Sequence, residues 1–104
     1  MNKLLTMIAL LVFASPGLAR ADGRTDYNAH CAGCHGANGN VQTQKAKALN
    51  VDVRQIALKI STLPRDQVIA TIESGRKQMP SFKGVLSQKQ IEGIADYVIA
   101  LRAQ

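Results

Sequence analysis

Apolar residues recur along this chain at helical rather than strand spacing. Near the C-terminal end, Ile91, Ile94, Ala95, Val98 and Leu101 follow one another at intervals that place them on one stripe of a helix. Tyr97 and Ile99 widen that apolar surface. Just ahead of it, Ser87-Gln88-Lys89-Gln90 has the spacing of a capping box, in which the first and fourth residues satisfy each other's free backbone amides. A second helix is expected from Pro64, since proline suits a first helical turn, with Val68, Ile69 and Ile72 on one face and Gly75 at the C-terminal cap. A third is expected from Asp22 to about Gly33, capped by Asp22 or Thr25. Gly36–Asn40 has loop composition, Gln42–Asn50 is polar and basic, and Val51–Ser61 has room for a helical turn. No segment alternates over a strand's length. The pattern predicts an all-α fold with three main helices and one or two short ones.

The first residues follow a different logic. Lys3 gives a basic start, Leu4–Ala14 is almost continuously apolar, Ser15-Pro16-Gly17 breaks the run, and Ala19-Arg20-Ala21 matches an A-x-A cleavage site. The apolar run is shorter than the roughly 20 residues a membrane-spanning helix needs. Residues 1–21 are therefore expected to be a signal peptide, and residues 22–104 a single exported, periplasmic domain with no permanent membrane anchor.

Composition adds two constraints. With the leader gone, Tyr27, Phe82 and Tyr97 are the aromatic residues left, and there is no tryptophan. Domains this small often complete their core with a disulfide, metal or cofactor. The formal charge of +6 falls to +4 once Lys3 and Arg20 leave. Such a balance suits acidic protein partners, and without aromatics interleaved among the basic residues it gives no reason to invoke nucleic acid.

The chemistry sits in Cys31-Ala32-Gly33-Cys34-His35, a C-x-x-C-H run. On a helix or tight turn, positions i, i+3 and i+4 share one side. Two thiols so spaced can form thioethers with the vinyl groups of one porphyrin edge, and the next residue, a histidine, is carried to the iron. A structural disulfide would not explain that histidine. A thioredoxin-like dithiol would need a βαβ context that the chain lacks. A zinc site drawn from His30, Cys31, Cys34 and His35 would have to wrap a tetrahedral ion with ligands crowded into six residues. The expected cofactor is one covalent haem c, with Cys31 and Cys34 as thioether anchors and His35 as an axial ligand.

For the sixth coordination position the inventory is short. Met1 and Met7 lie in the leader, so Met79 is the methionine left to the mature chain. His30 directly precedes Cys31 and is expected to stay off the opposite face of the ring. Met79 lies in the loop Arg76–Val85, and Pro80 holds it extended. A neutral thioether opposite imidazole favours ferrous iron and raises the potential, and with both axial positions filled no site is left open for a substrate. These residues point to a carrier and not an enzyme.

Tyr27-x-x-x-Cys31-x-x-Cys34-His35-Gly36, then Gly75-x-x-x-Met79-Pro80-x-Phe82, then an amphipathic helix with Tyr97, resembles the small bacterial class I cytochromes c across the whole mature chain. The resemblance implies a soluble, monomeric one-electron carrier whose first and last helices cross, Gly23 and Tyr27 meeting the face that bears Tyr97. It also implies that Lys45, Lys47, Arg76, Lys77 and Lys83 border the haem, where they would steer acidic redox partners. A dedicated haem c subunit of a dehydrogenase or terminal oxidase or reductase complex is the alternative, and a zinc-binding or dithiol redox protein is the alternative from another class. The family's usual proline after the haem motif, whose carbonyl receives the proximal histidine's Nδ1–H, is missing between His35 and Pro64. A carbonyl within Thr43–Leu49 is expected to replace it.

Overall fold

The computed structural model describes residues 17–104, with side chains from Gly23 onward; the expected leader lies outside the described residues up to Pro16. Six α-helices follow in order: α1 Gly17–His30, α2 Ala32–His35, α3 Gln44–Ala48, α4 Val53–Ile56, α5 Arg65–Ser74 and α6 Gln88–Leu101, with a 3₁₀ turn at Leu58–Ile60 between α4 and α5. Among the described residues there is no strand, only isolated bridges at Arg76–Met79 and Lys83–Leu86. No helix among them is long and apolar enough to cross a membrane.

α6 forms as its sequence dictates. Ser87 Oγ accepts from the Gln90 amide, and the Gln90 side chain accepts from the Ser87 amide. Every residue of the expected stripe is buried, Ile94 and Ala95 completely. α1 packs chiefly on α6, and α5 lies against α6 as well. A Cβ on Gly23 would run into the Gly93 carbonyl, so the two helices cross where glycine lets backbone approach backbone. One turn further along, Tyr27 and Tyr97 pack with ring centroids 5.1 Å apart. The crossing expected of Gly23, Tyr27 and Tyr97 is the central contact of the fold.

Two differences from expectation concern boundaries. The first helix begins at Gly17, before the expected cleavage point, and stops at His30; Cys31, at φ −116° and ψ −39°, is an irregular right-handed step whose amide still bonds the Tyr27 carbonyl. The chain then restarts as the single turn α2, which carries the rest of the motif. The stretch between Gln42 and Ser61 holds three short elements. Thr43 caps α3 by accepting from the Ala46 amide, and Asp52 caps α4 by accepting from Arg54.

The core is divided. Tyr27, Cys31, Val68, Ile72, Leu86 and the α6 stripe form the main cluster. Val41, Ala46 and Ala57 form a second, smaller one, flanked by Val51 and Ile56. A cavity of about 430 Å³ has walls from both clusters.

Candidate functional site

The C-x-x-C-H run is held at both ends. The Cys31 amide donates back to the Tyr27 carbonyl, and the amides of Cys34 and His35 both turn onto the Cys31 carbonyl, at 3.2 and 2.9 Å. Beyond the motif, the Tyr27 hydroxyl donates to the Gly36 carbonyl at 2.6 Å. Burial, followed by the neighbouring Cys31 and Tyr97, pushes the Tyr27 hydroxyl's pKa up, so it stays a donor. The two cysteines are free thiols, and burial, then Asp26 and Cys34, pushes Cys31 up to about 12.

His35 Nδ1 lies 2.8 Å from the Ile56 carbonyl oxygen. This corrects the expectation that Thr43–Leu49 supplies the acceptor. Thr43, Lys45, Ala46 and Lys47 spend their carbonyls on backbone amides of α3 and its exit, and the Leu49 carbonyl accepts from the Gln78 side chain. Ile56 is the last residue of α4, where helical carbonyls lose their own partners. A carbonyl freed by a helix end therefore does what the missing proline would have done. Burial holds the His35 imidazole below its usual pKa, against the opposing pull of the Ile56 bond, so the ring is neutral with Nε2 left for a metal.

Met79 reaches the same cavity from another direction. After α5 ends, Gly75 takes φ +72°, and the chain closes a tight turn in which Arg76 and Met79 exchange both backbone hydrogen bonds, at 3.0 and 2.9 Å. Gln78 ties the turn to the Leu49 carbonyl, and Ser81 Oγ bonds the Glu73 carbonyl on α5. The Phe82 amide donates to Ile72 at 3.0 Å. Cys31, Cys34, His35 and Met79 thus line one largely apolar cavity with Ile94 and Val98. Of the basic residues expected around it, Lys45, Arg76 and Lys77 line the cavity, whereas Lys47 and Lys83 do not. His30 lines the cavity too, its ring meeting the edge of Phe82 at 5.9 Å. Among the described residues no cluster of three or more His, Cys, Asp or Glu side chains could hold a bare metal ion, so the zinc reading has no ligand set.

A flat apolar group with thiol-reactive substituents, needing one nitrogen and one sulfur donor, fits these walls. Comparison with known sequences agrees. The family model described as "Cytochrome C oxidase, cbb3-type, subunit III" matches residues 19–98. The chain belongs to the cytochrome c family. It is 32% identical over 107 residues to cytochrome c6 of a Synechococcus sp., covering 95% of this chain and 92% of that one. It is 37% identical over 81 residues to cytochrome c6 of Leptolyngbya boryana, with 78% and 89% covered. Cytochrome c6 of Pyropia yezoensis is 31% identical over 104 residues, with 96% and 91% covered. As a small monohaem class I cytochrome c, the protein carries one covalently attached haem c and serves as a one-electron carrier.

Proposed function

We propose that Cys31 and Cys34 bind the haem through thioethers, that His35 and Met79 are its axial ligands, and that the protein shuttles single electrons between partner proteins without catalysing a reaction of its own. The observation that carries this reading is the convergence of all four side chains on one apolar cavity. When bound, the haem supplies one reversible electron at its iron. The chain's part is to hold both oxidation states alike. The Ile56 carbonyl fixes the imidazole's tautomer and angle, the Arg76–Met79 turn fixes the thioether, and the apolar walls keep water out. Substituting Met79 by Ala should leave the haem attached, open the site to carbon monoxide and lower the midpoint potential. The weak red-edge charge-transfer band of methionine–ferric haem is the direct check. Its absence from the wild-type spectrum would remove Met79 and leave His30, beside Phe82, as the ligand to test.

The proposed setting is the periplasm, with export ending in cleavage after Ala21; sequencing the mature N-terminus should return Asp22. Partners are proposed to be acidic at their docking faces and to meet the cavity rim at Lys45, Arg76 and Lys77. Steering of this kind predicts an association rate that falls steeply with salt, since exposed charges are screened beyond about 10 Å at 0.1 M ionic strength. Lys77→Glu should slow association likewise and barely move the potential; a rate indifferent to both would assign docking to apolar contacts. A second reading, a haem c subunit held in a larger oxidase complex, draws on the description of the matching family model. Size-exclusion chromatography of native extract separates the two, a monomeric red fraction supporting the shuttle.

A further inference from the structure

Two short helices end beside the cavity, and each leaves a carbonyl for the site to use. α3 closes in a left-handed cap. Asn50 takes φ +52°, its amide meets the Lys47 carbonyl at 3.1 Å, and the Val51 amide meets that of Ala46 at 3.3 Å. Those bonds occupy carbonyls of the last turn and leave that of Leu49 without a backbone partner. Gln78 Nε2 donates to it at 3.0 Å. α4 ends at Ile56, whose carbonyl serves His35 Nδ1. Gln78 directly precedes Met79, so residues 49–56 touch His35 at one end and the Met79 turn at the other.

That turn needs holding. Lys77, inside it, sits at φ +53°, a left-handed conformation that crowds a side chain against the following carbonyl. The later bonds of the loop, from Ser81, Phe82 and Lys83, all return to α5 at Ile72 and Glu73. They fix its far end and leave the turn itself free to relax. Among the described residues, two side-chain bonds tie the turn to the 49–56 wall: Gln78 to Leu49, and Lys77 Nζ to Gln55 at 3.3 Å. The second is the longer and comes from a flexible, exposed ammonium that water satisfies equally well. The first ends on a carbonyl pinned by its helix cap.

We propose that Gln78 is a positioning residue for the distal ligand: its amide, held by the Leu49 carbonyl, keeps the strained turn closed and Met79 on the iron. The assignment rests on Met79 as that ligand. It makes residues 49–56 a common brace for both axial ligands. Without the bond the turn opens more often, and the position that Met79 guards becomes accessible to an outside ligand.

The test compares the ferric holoprotein as wild type, Gln78→Ala, Gln78→Glu and Arg65→Ala. At neutral pH Glu keeps nearly the length of Gln but offers acceptors only. Arg65→Ala removes the exposed pair with Asp96 and controls for general loosening. Imidazole binds only while Met79 is away, so its apparent affinity follows the open fraction. That affinity should rise about five-fold in both Gln78 variants, the effect of losing one ordinary hydrogen bond, and stay at the wild-type value in Arg65→Ala. Exchange of the Met79 amide, which bonds Arg76 in the closed turn, should quicken by a similar factor. The methionine–ferric band without imidazole should stay near full strength in all four, since the open form remains a minor one. Equal imidazole affinity in all four proteins would overturn the proposal while leaving the ligand assignment standing. Absence of the band from wild type would take down both. A rise in Gln78→Ala alone, with Gln78→Glu like wild type, would assign the effect to side-chain bulk and overturn the proposal. A rise shared by Arg65→Ala would assign it to general loosening and overturn it as well.

Discussion

At the scale of single residues, Tyr27 does the most for its size. Its ring fills the α1–α6 crossing, and its hydroxyl ties α1 to the carbonyl just past His35, so one side chain sets the distance between the helix crossing and the haem motif. Tyr27→Phe should keep the packing and lose the bond, at about 1 kcal/mol near neutral pH. The alkaline side is more telling. The native hydroxyl's pKa is raised above the unfolded value of about 10, so its stabilisation is whole below pH 10 and drains as pH climbs towards the native pKa, by about 1.4 kcal/mol per pH unit for one proton. Denaturant melts from pH 7 to pH 11 should therefore show the gap between wild type and Tyr27→Phe closing above pH 10. A gap constant across that range would mean that the hydroxyl titrates normally. The motif Cys31-x-x-Cys34-His35 and the remaining Met79 were legible in the sequence because their chemistry is local or countable. The acceptor for His35 Nδ1 was not. Choosing Ile56 over its neighbours depends on which carbonyls two short helices leave unspent, a fact of tertiary structure.

Among elements, those with several turns of periodicity announced themselves. α5 and α6 carry enough apolar positions, and clear enough caps, for the pattern to fix their faces and ends. α3 and α4, with five and four residues, are too short for a stripe. Their signal was in the caps Thr43 and Asp52, which in isolation look like any polar loop residue. The loop after α5 shows how an element's end becomes part of the site. Gly75 stops the helix at φ +72°, and a Cβ there would collide with backbone atoms of Met79, Pro80 and Ser81 within 2.6–2.8 Å. The Met79 turn is thus folded against a glycine that has no substitute. Gly75→Ala combines a backbone conformation nearly confined to glycine with a clash against main chain, and should cost roughly 3 kcal/mol. Its particular consequence is for Met79. The methionine–ferric band should weaken in this variant while the haem stays attached, and denaturation of the ferric protein should begin with loss of that band. A variant destabilised with the band at full strength would show that the loop can re-form without glycine's freedom.

On the scale of the whole molecule, the divided core says what the haem does for the fold. The main cluster gathers α1, α5 and α6, whereas Val41, Ala46 and Ala57 hold together a segment whose larger apolar residues Leu49, Val53 and Ile60 stay exposed. Between them lies the cavity of about 430 Å³. Left empty at the ~24 cal/mol per Å³ found for core deletions, such a void would cost roughly 10 kcal/mol, an upper figure because this one opens to solvent. A domain of this length has about 4–12 kcal/mol of stability in all. The chain without haem is therefore expected to loosen. The loosening has a direction. The α1–α6 crossing is made of protein alone, through Gly23, Gly93, Tyr27 and Tyr97, and does not need the cofactor. The segment from Val41 to Ser61 is joined to the rest by two backbone bonds, Val41 to His35 and Lys59 to Gly39, by the packing of Leu58, and by side-chain bonds such as His35–Ile56, Thr43–Cys34 and Gln78–Leu49. A Cys31→Ser/Cys34→Ser protein, which cannot attach haem, should thus retain helical circular dichroism from α1 and α6 but lose its cooperative melt. Amide exchange should be fast throughout residues 41–61 and slowest along Ile91–Leu101. A sharp thermal transition in that protein, with equal protection in both regions, would show a core that closes without its cofactor, and the cavity would then be a consequence of the fold and not a condition for it.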